Sequence, residues 1–142
     1  IILLFACLFA LQGLAKADDD RAITVDQLPQ KAQEFIQKYF PKNEISLAKM
    51  EKDFWEKKYE VVFVNGEKAE FLKDGSWEKV DCKYSTEPTG IVPQAIKDYV
   101  SKHYPEAKIL KIERDSKTYE VKLNNQLELE FNKAFQLIDI DN

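Results

Sequence analysis

The side chains able to do chemistry in this 142-residue chain are mostly acidic, and they come in matched sets. Glu60 and Glu70 reappear sixty positions on as Glu120 and Glu130. Paired carboxylates serve as general acid and base in glycoside hydrolysis when a cleft separates their proton affinities. Interspersed Lys57, Lys68 and Lys122 instead predict cross-strand charge pairs on a solvated sheet face. His103 is the only histidine, which excludes a multi-histidine metal site and forces any triad through that residue. Its spacing from neighbouring apolar residues predicts a structural place on a helix stripe. Cys82 and His103 would make a nucleophile pair, but no oxyanion hole or third orienting residue accompanies them. No Gly-rich phosphate loop, Gly-x-Ser-x-Gly elbow or Cys-x-x-Cys occurs. Asp18-Asp19-Asp20 and Asp139-Ile140-Asp141-Asn142 lack the spacing of a preformed calcium loop. No catalytic residue, cofactor or bound metal is therefore expected. Large aromatics remain, Phe54-Trp55, Trp77 and Tyr84, of the kind favoured at the centres of interfaces.

The elements that must position these residues are written twice. Leu28-Pro29 through Tyr39-Phe40-Pro41 returns as Val92-Pro93 through His103-Tyr104-Pro105, and Tyr59-Glu60-Val61 returns as Tyr119-Glu120-Val121. In the first copy Leu28, Ala32, Phe35, Ile36 and Tyr39 form one apolar helical stripe; Val92, Ile96, Tyr99, Val100 and His103 form the second. Asp26 is the expected cap of the first helix, and Pro41 and Pro105 end the two helices. Period-two alternation follows each helix. Tyr59, Val61 and Phe63 oppose Glu60, Val62 and Val64, while Tyr119, Val121 and Leu123 oppose Glu120, Lys122 and Asn124. Asn65-Gly66 and Asp74-Gly75 signal hairpins in the first copy. The expectation is an α+β domain built of two tandem helix-plus-four-stranded antiparallel units, 22–81 and 92–142, joined by a turn-rich linker at 82–91. Both helices should cover one sheet face and leave the other open.

Residues 1–17, an apolar run ending in Ala15-Lys16-Ala17 before the aspartates, read as a secretory signal peptide whose start is missing. Loss of Lys16 with it takes the net charge from −4 to about −5, which argues against nucleic acid and anionic lipid as partners. No later segment would insert in a membrane. The product is expected to be exported, periplasmic or extracellular. Cys82 would then be its single cysteine, either buried or available as an intermolecular thiol.

The order of Leu28-Pro29, Tyr39-Phe40-Pro41, Tyr59-Glu60-Val61, Asn65-Gly66, Glu70-Phe71, Gly75-Ser76-Trp77 and Val80-Asp81-Cys82, with a second opening at Val92-Pro93, resembles the PepSY-like family of exported Bacteroides-type proteins. That resemblance implies a fold similar to the beta-lactamase-inhibitor protein, with a concave sheet surface, and no enzymatic activity. The second copy departs from the pattern at Gln126, Ala134-Phe135 and Leu137. Shared fold with an inhibitor does not establish inhibition.

The reading that follows is an exported, non-enzymatic binding or regulatory module for an unidentified envelope protein or peptide. Its candidate contacts are Trp55, Glu60, Val62, Val64, Lys68, Glu70, Trp77 and Tyr84. The alternative is a structural protein that self-associates through an edge strand or Cys82; a hydrolase ranks last.

Overall fold

The computed structural model describes residues 19–86 and 90–142. The expected leader at 1–17 and positions 87–89 of the expected linker lie outside the described residues. Among the described residues nine strands, β1 Asp19–Ile23, β2 Ile45–Lys52, β3 Lys57–Phe63, β4 Lys68–Leu72, β5 Trp77–Asp81, β6 Ile109–Arg114, β7 Thr118–Leu123, β8 Glu128–Asn132 and β9 Leu137–Asp141, form one sheet in chain order. Every neighbouring pair is antiparallel.

This single sheet corrects the expectation of two tandem helix-plus-four-stranded units. The chain is α+β overall but mostly strand, and two features account for the difference. β1 pairs with β2 from Asp19↔Lys52 to Ile23↔Ala48 and adds an edge. Its sequence, Asp-Asp-Arg-Ala-Ile, has no period-two apolar pattern from which a strand could be read. β5 and β6 then join directly through Lys79↔Glu113, Val80↔Ile112 and Asp81↔Lys111, so the sheet runs on across the segment read as a boundary.

Two helices, α1 Gln30–Tyr39 and α2 Gln94–His103, lie on the same sheet face. α1 buries Ala32 and Ile36, and α2 buries Ile96 and Val100. The Phe35 ring meets Phe71 edge-on at 5.4 Å, and Tyr99 meets Phe131 in the same way at 5.3 Å. Beneath them Val61, Phe63, Ala69, Phe71, Val80, Ile112, Val121, Leu123, Leu129 and Phe131 are 1% exposed or less. Each large apolar side chain so buried contributes roughly 1.5–3 kcal/mol.

Asp26 does not cap α1. It lies in a short 3-10 turn, Val25–Gln27, where its carboxylate accepts a hydrogen bond from the Thr24 hydroxyl, and Pro29 stands at the helix start without a side-chain cap. His103 is exposed in the last turn of α2, its ring 4.2 Å from Tyr99, so it is not part of the buried stripe. That end of α2 outruns the sheet-facing turn that Ile96 and Val100 occupy.

Candidate functional site

Alternation sends every second strand residue to the face opposite α1 and α2, which is free of helix among the described residues. One row of that face reads Lys49, Glu60, Glu70, Lys79, Glu113, Glu120, Glu130 and Asp139 from β2 to β9. Glu60 is therefore directly opposite Glu70, and Glu120 opposite both Glu113 and Glu130. This corrects the expected cross-strand pairing of these glutamates with Lys57, Lys68 and Lys122. The hairpin turns fix the register, and register rather than composition decides which charges meet. Lys57 lies over the Tyr59 ring at 5.7 Å, and Lys68 and Lys122 form no ion pair among the described residues. The ion pairs include Lys49 with Glu51 at 3.2 Å, Lys58 with Glu78 at 3.1 Å, Lys111 with Glu113 at 3.1 Å, and Lys79 with Glu113 at 3.5 Å and Glu70 at 4.0 Å.

Carboxylate oxygens of Glu51, Glu60 and Glu70 lie within 4.8 Å of one another. Burial raises the Glu70 pKa, Lys79 opposes the rise, and the charge of Glu60 adds to it. Burial likewise raises that of Glu120, with Glu128 and Glu113 reinforcing the shift. An oxygen-only trio of this kind suits a hard divalent cation.

The predicted contact residues are not one cluster. Val62, Val64, Lys68 and Tyr84 gather at one end of the sheet, since Val62, Lys68 and Asp81 share a register row and Val64 and Tyr84 follow just beyond it. Trp55 and Trp77 are toward the other end, by strand rise roughly 20 Å and about 13 Å from that row respectively. Glu60 and Glu70 lie between. Trp55 is 89% exposed and Tyr84 97%, whereas Trp77 is half-buried against Phe35. Leu47, missed in the sequence, pairs with Val62 on the helix-free face and is exposed there beside Val64. Cys82 is fully buried, the first of the two states expected for it, so the folded chain does not present this thiol to another molecule.

At the Trp77 end a cavity of about 480 Å³ opens where the start of β3, the β4–β5 turn and the β6–β7 turn converge. The Arg114 guanidinium lies 3.9 Å from the Trp77 ring centre, and its Nε–H donates to the Trp77 carbonyl at 2.8 Å. Arg114 was not singled out in the sequence, although a signal existed. It pairs with Tyr119 as the core residue Met50 pairs with Tyr59, so a cation stands where the first copy has an apolar side chain.

The family profile described as "Putative beta-lactamase-inhibitor-like, PepSY-like" matches residues 57–139. The chain belongs to the PepSY-like family. Solved structures of similar proteins agree with it over nearly their whole length. A periplasmic protein of the DUF2874 family from Bacteroides vulgatus is 56% identical, with a TM-score of 0.86 over 89% of this chain and 99% of that one. A "putative calcium-regulated periplasmic protein" from Bacteroides thetaiotaomicron is 57% identical, with a TM-score of 0.85 over 87% of this chain and 98% of that one. A second Bacteroides vulgatus protein, described as periplasmic and of unknown function, is 34% identical with a TM-score of 0.83, over 87% of this chain and 100% of that one. No curated protein matches. None of these descriptions names an enzymatic activity. This PepSY-like protein is exported and periplasmic, as its sequence leads one to expect, and no helix among its described residues is long and apolar enough to cross a membrane.

Proposed function

We propose that the protein is a non-enzymatic binding module of the periplasm that takes a protein or peptide on its helix-free sheet face, at the end marked by Leu47, Val62 and Val64. The observation that carries this reading is that three neighbouring apolar side chains sit at one end of a face whose middle row is charged, with Leu47 41% and Val64 64% exposed. Lys68 and Tyr84 flank them and supply a polar rim, the composition of an interface patch. Where the partner is an enzyme, the reading extends to inhibition, seen as lost activity in the isolated complex. Changing Val62 and Val64 together to Ser should abolish capture of a partner from periplasmic extract and leave the thermal midpoint near that of the parent. Trp55→Ser, at the far end, should leave capture intact. Equal capture by the double variant and the parent would sink the proposal.

A second reading concerns calcium. It is favoured by the trio Glu51, Glu60 and Glu70 together with the description of one relative as calcium-regulated. Here Ca²⁺ bridges the three carboxylates and relieves their mutual repulsion. Millimolar Ca²⁺ should then raise the thermal midpoint of the parent and not that of Glu60→Gln/Glu70→Gln. A rise of the same size in both would end this reading.

A further inference from the structure

The seam between β5 and β6 holds only three register pairs, and Trp77 and Arg114 lie just past the last of them, Lys79↔Glu113. Where the backbones part, the Arg114 Nε–H supplies the donor that a paired strand would have offered to the Trp77 carbonyl, at 2.8 Å. That bond and the indole face 3.9 Å away fix the plane of the guanidinium. Its terminal amino groups make no hydrogen bond and no ion pair among the described residues. The nearby carboxylates are already occupied. Asp115 accepts from the backbone N–H groups of Lys117 and Thr118 at 2.7 and 2.8 Å, and Glu78 Oε1 accepts from Lys58 at 3.1 Å. Glu78 Oε2, however, is buried with no partner, and Glu78 lines the same cavity. A buried acceptor without a donor is costly, so turning the Glu78 carboxylate into the cavity toward a ligand N–H would relieve that cost.

We infer that this cavity binds the C-terminal residue of a peptide with an apolar side chain. Its carboxylate meets the Arg114 fork, its amide N–H meets the Glu78 carboxylate once that side chain turns into the cavity, and its side chain lies between Trp77 and Leu72. A fixed guanidinium suits a planar carboxylate, which it can engage with two parallel bonds. Glu56, Glu78 and Asp115 balance Lys58, Arg114 and Lys133 around the cavity, which favours a monoanion over doubly charged phosphate. The volume, about 480 Å³, falls within the range of small-ligand sites and holds one or two residues. This inference does not rest on the sheet-face proposal, since the cavity is at the opposite end of the sheet.

Calorimetry on the whole soluble chain tests it with four probes: acetyl-Ala-Ala-Leu with a free carboxylate, the same peptide as its C-terminal amide, octanoate, and inorganic phosphate. The free acid should bind saturably, and the amide and octanoate should each be weaker by about tenfold, since one loses the charge and the other the N–H. Arg114→Gln should cost at least about tenfold for the free acid. Because Arg114 also closes the seam, Ser116→Glu provides an independent check. It places a negative charge on an exposed turn at the cavity and should weaken the acid severalfold at an unchanged thermal midpoint. The inference is overturned by equal binding of acid and amide, by octanoate matching the peptide, by phosphate binding best, by wild-type affinity in folded Arg114→Gln or Ser116→Glu, or by no saturable binding of the free acid.

Discussion

Glu70 faces two kinds of neighbour at once, Glu60 across the strand pair and Lys79 at 4.0 Å. Burial wins, and its pKa stands above the ordinary value of 4.5. A carboxyl whose pKa is raised on folding binds its proton more tightly in the native chain than in the unfolded one. Its ionised form therefore costs stability at neutral pH, and that cost is removed as pH falls through the raised folded pKa to below the unfolded value. Glu70→Gln should raise the thermal midpoint at pH 7 by about 2 °C, the size expected from removing one directly opposed like charge. The gain should shrink toward zero below pH 4.5, where parent Glu70 is protonated in both states. Thermal unfolding followed by circular dichroism across that pH range reads it, and a lowered midpoint at pH 7 would mean that the Lys79 contact dominates. The carboxylates themselves were plain in the sequence; their opposition was not. Alternation assigns Glu60 and Glu70 to one face but does not say which residue on the next strand lies across from which.

At the scale of elements, local signals were legible wherever one residue type does one job. The alternation Tyr59-Val61-Phe63 marked β3 and its buried face, and Asn65-Gly66 marked a turn in which Gly66 has φ +90°. The second copy makes the same turns with less suitable residues: Gln126 at φ +76° answers Gly66, and Phe135 at φ +63° answers Gly75. Gly75 is bound by its surroundings as well as its backbone, because a Cβ there would lie 2.8 Å from the Lys31 Cβ of α1. Phe135 meets no such wall, and its ring stacks on Tyr119 at 5.6 Å, which offsets part of the strain of its backbone. Asn132 holds that turn by accepting from the N–H groups of Ala134 and Gln136 at 3.0 Å. What stayed hidden were features made by pairing alone. β1 carries no alternation of its own, Leu47 belongs to the exposed patch only through its register with Val62, and Arg114 reaches the Trp77 carbonyl just past the last β5–β6 pair.

A sheet laid out in chain order and left open has two edges, here β1 and β9, and an edge is a template for another chain. On β9, Ile138 and Ile140 are 52% and 48% exposed, enough apolar surface to reward pairing with a second molecule. Asp139 and Asp141 stand beside them and face Glu130 and Glu128 of β8, so two copies meeting edge to edge would bring rows of like charge together. The buried Cys82 offers no disulfide to offset that repulsion. The parent should therefore sediment as a monomer at micromolar concentration, with or without reductant. Asp139→Thr/Asp141→Thr removes both charges and raises strand propensity, and should drive concentration-dependent association while leaving the circular dichroism spectrum of a folded β-rich chain. A parent that already dimerises through β9 would show that the acidic edge does not guard it, and would put the self-association reading ahead of the binding module.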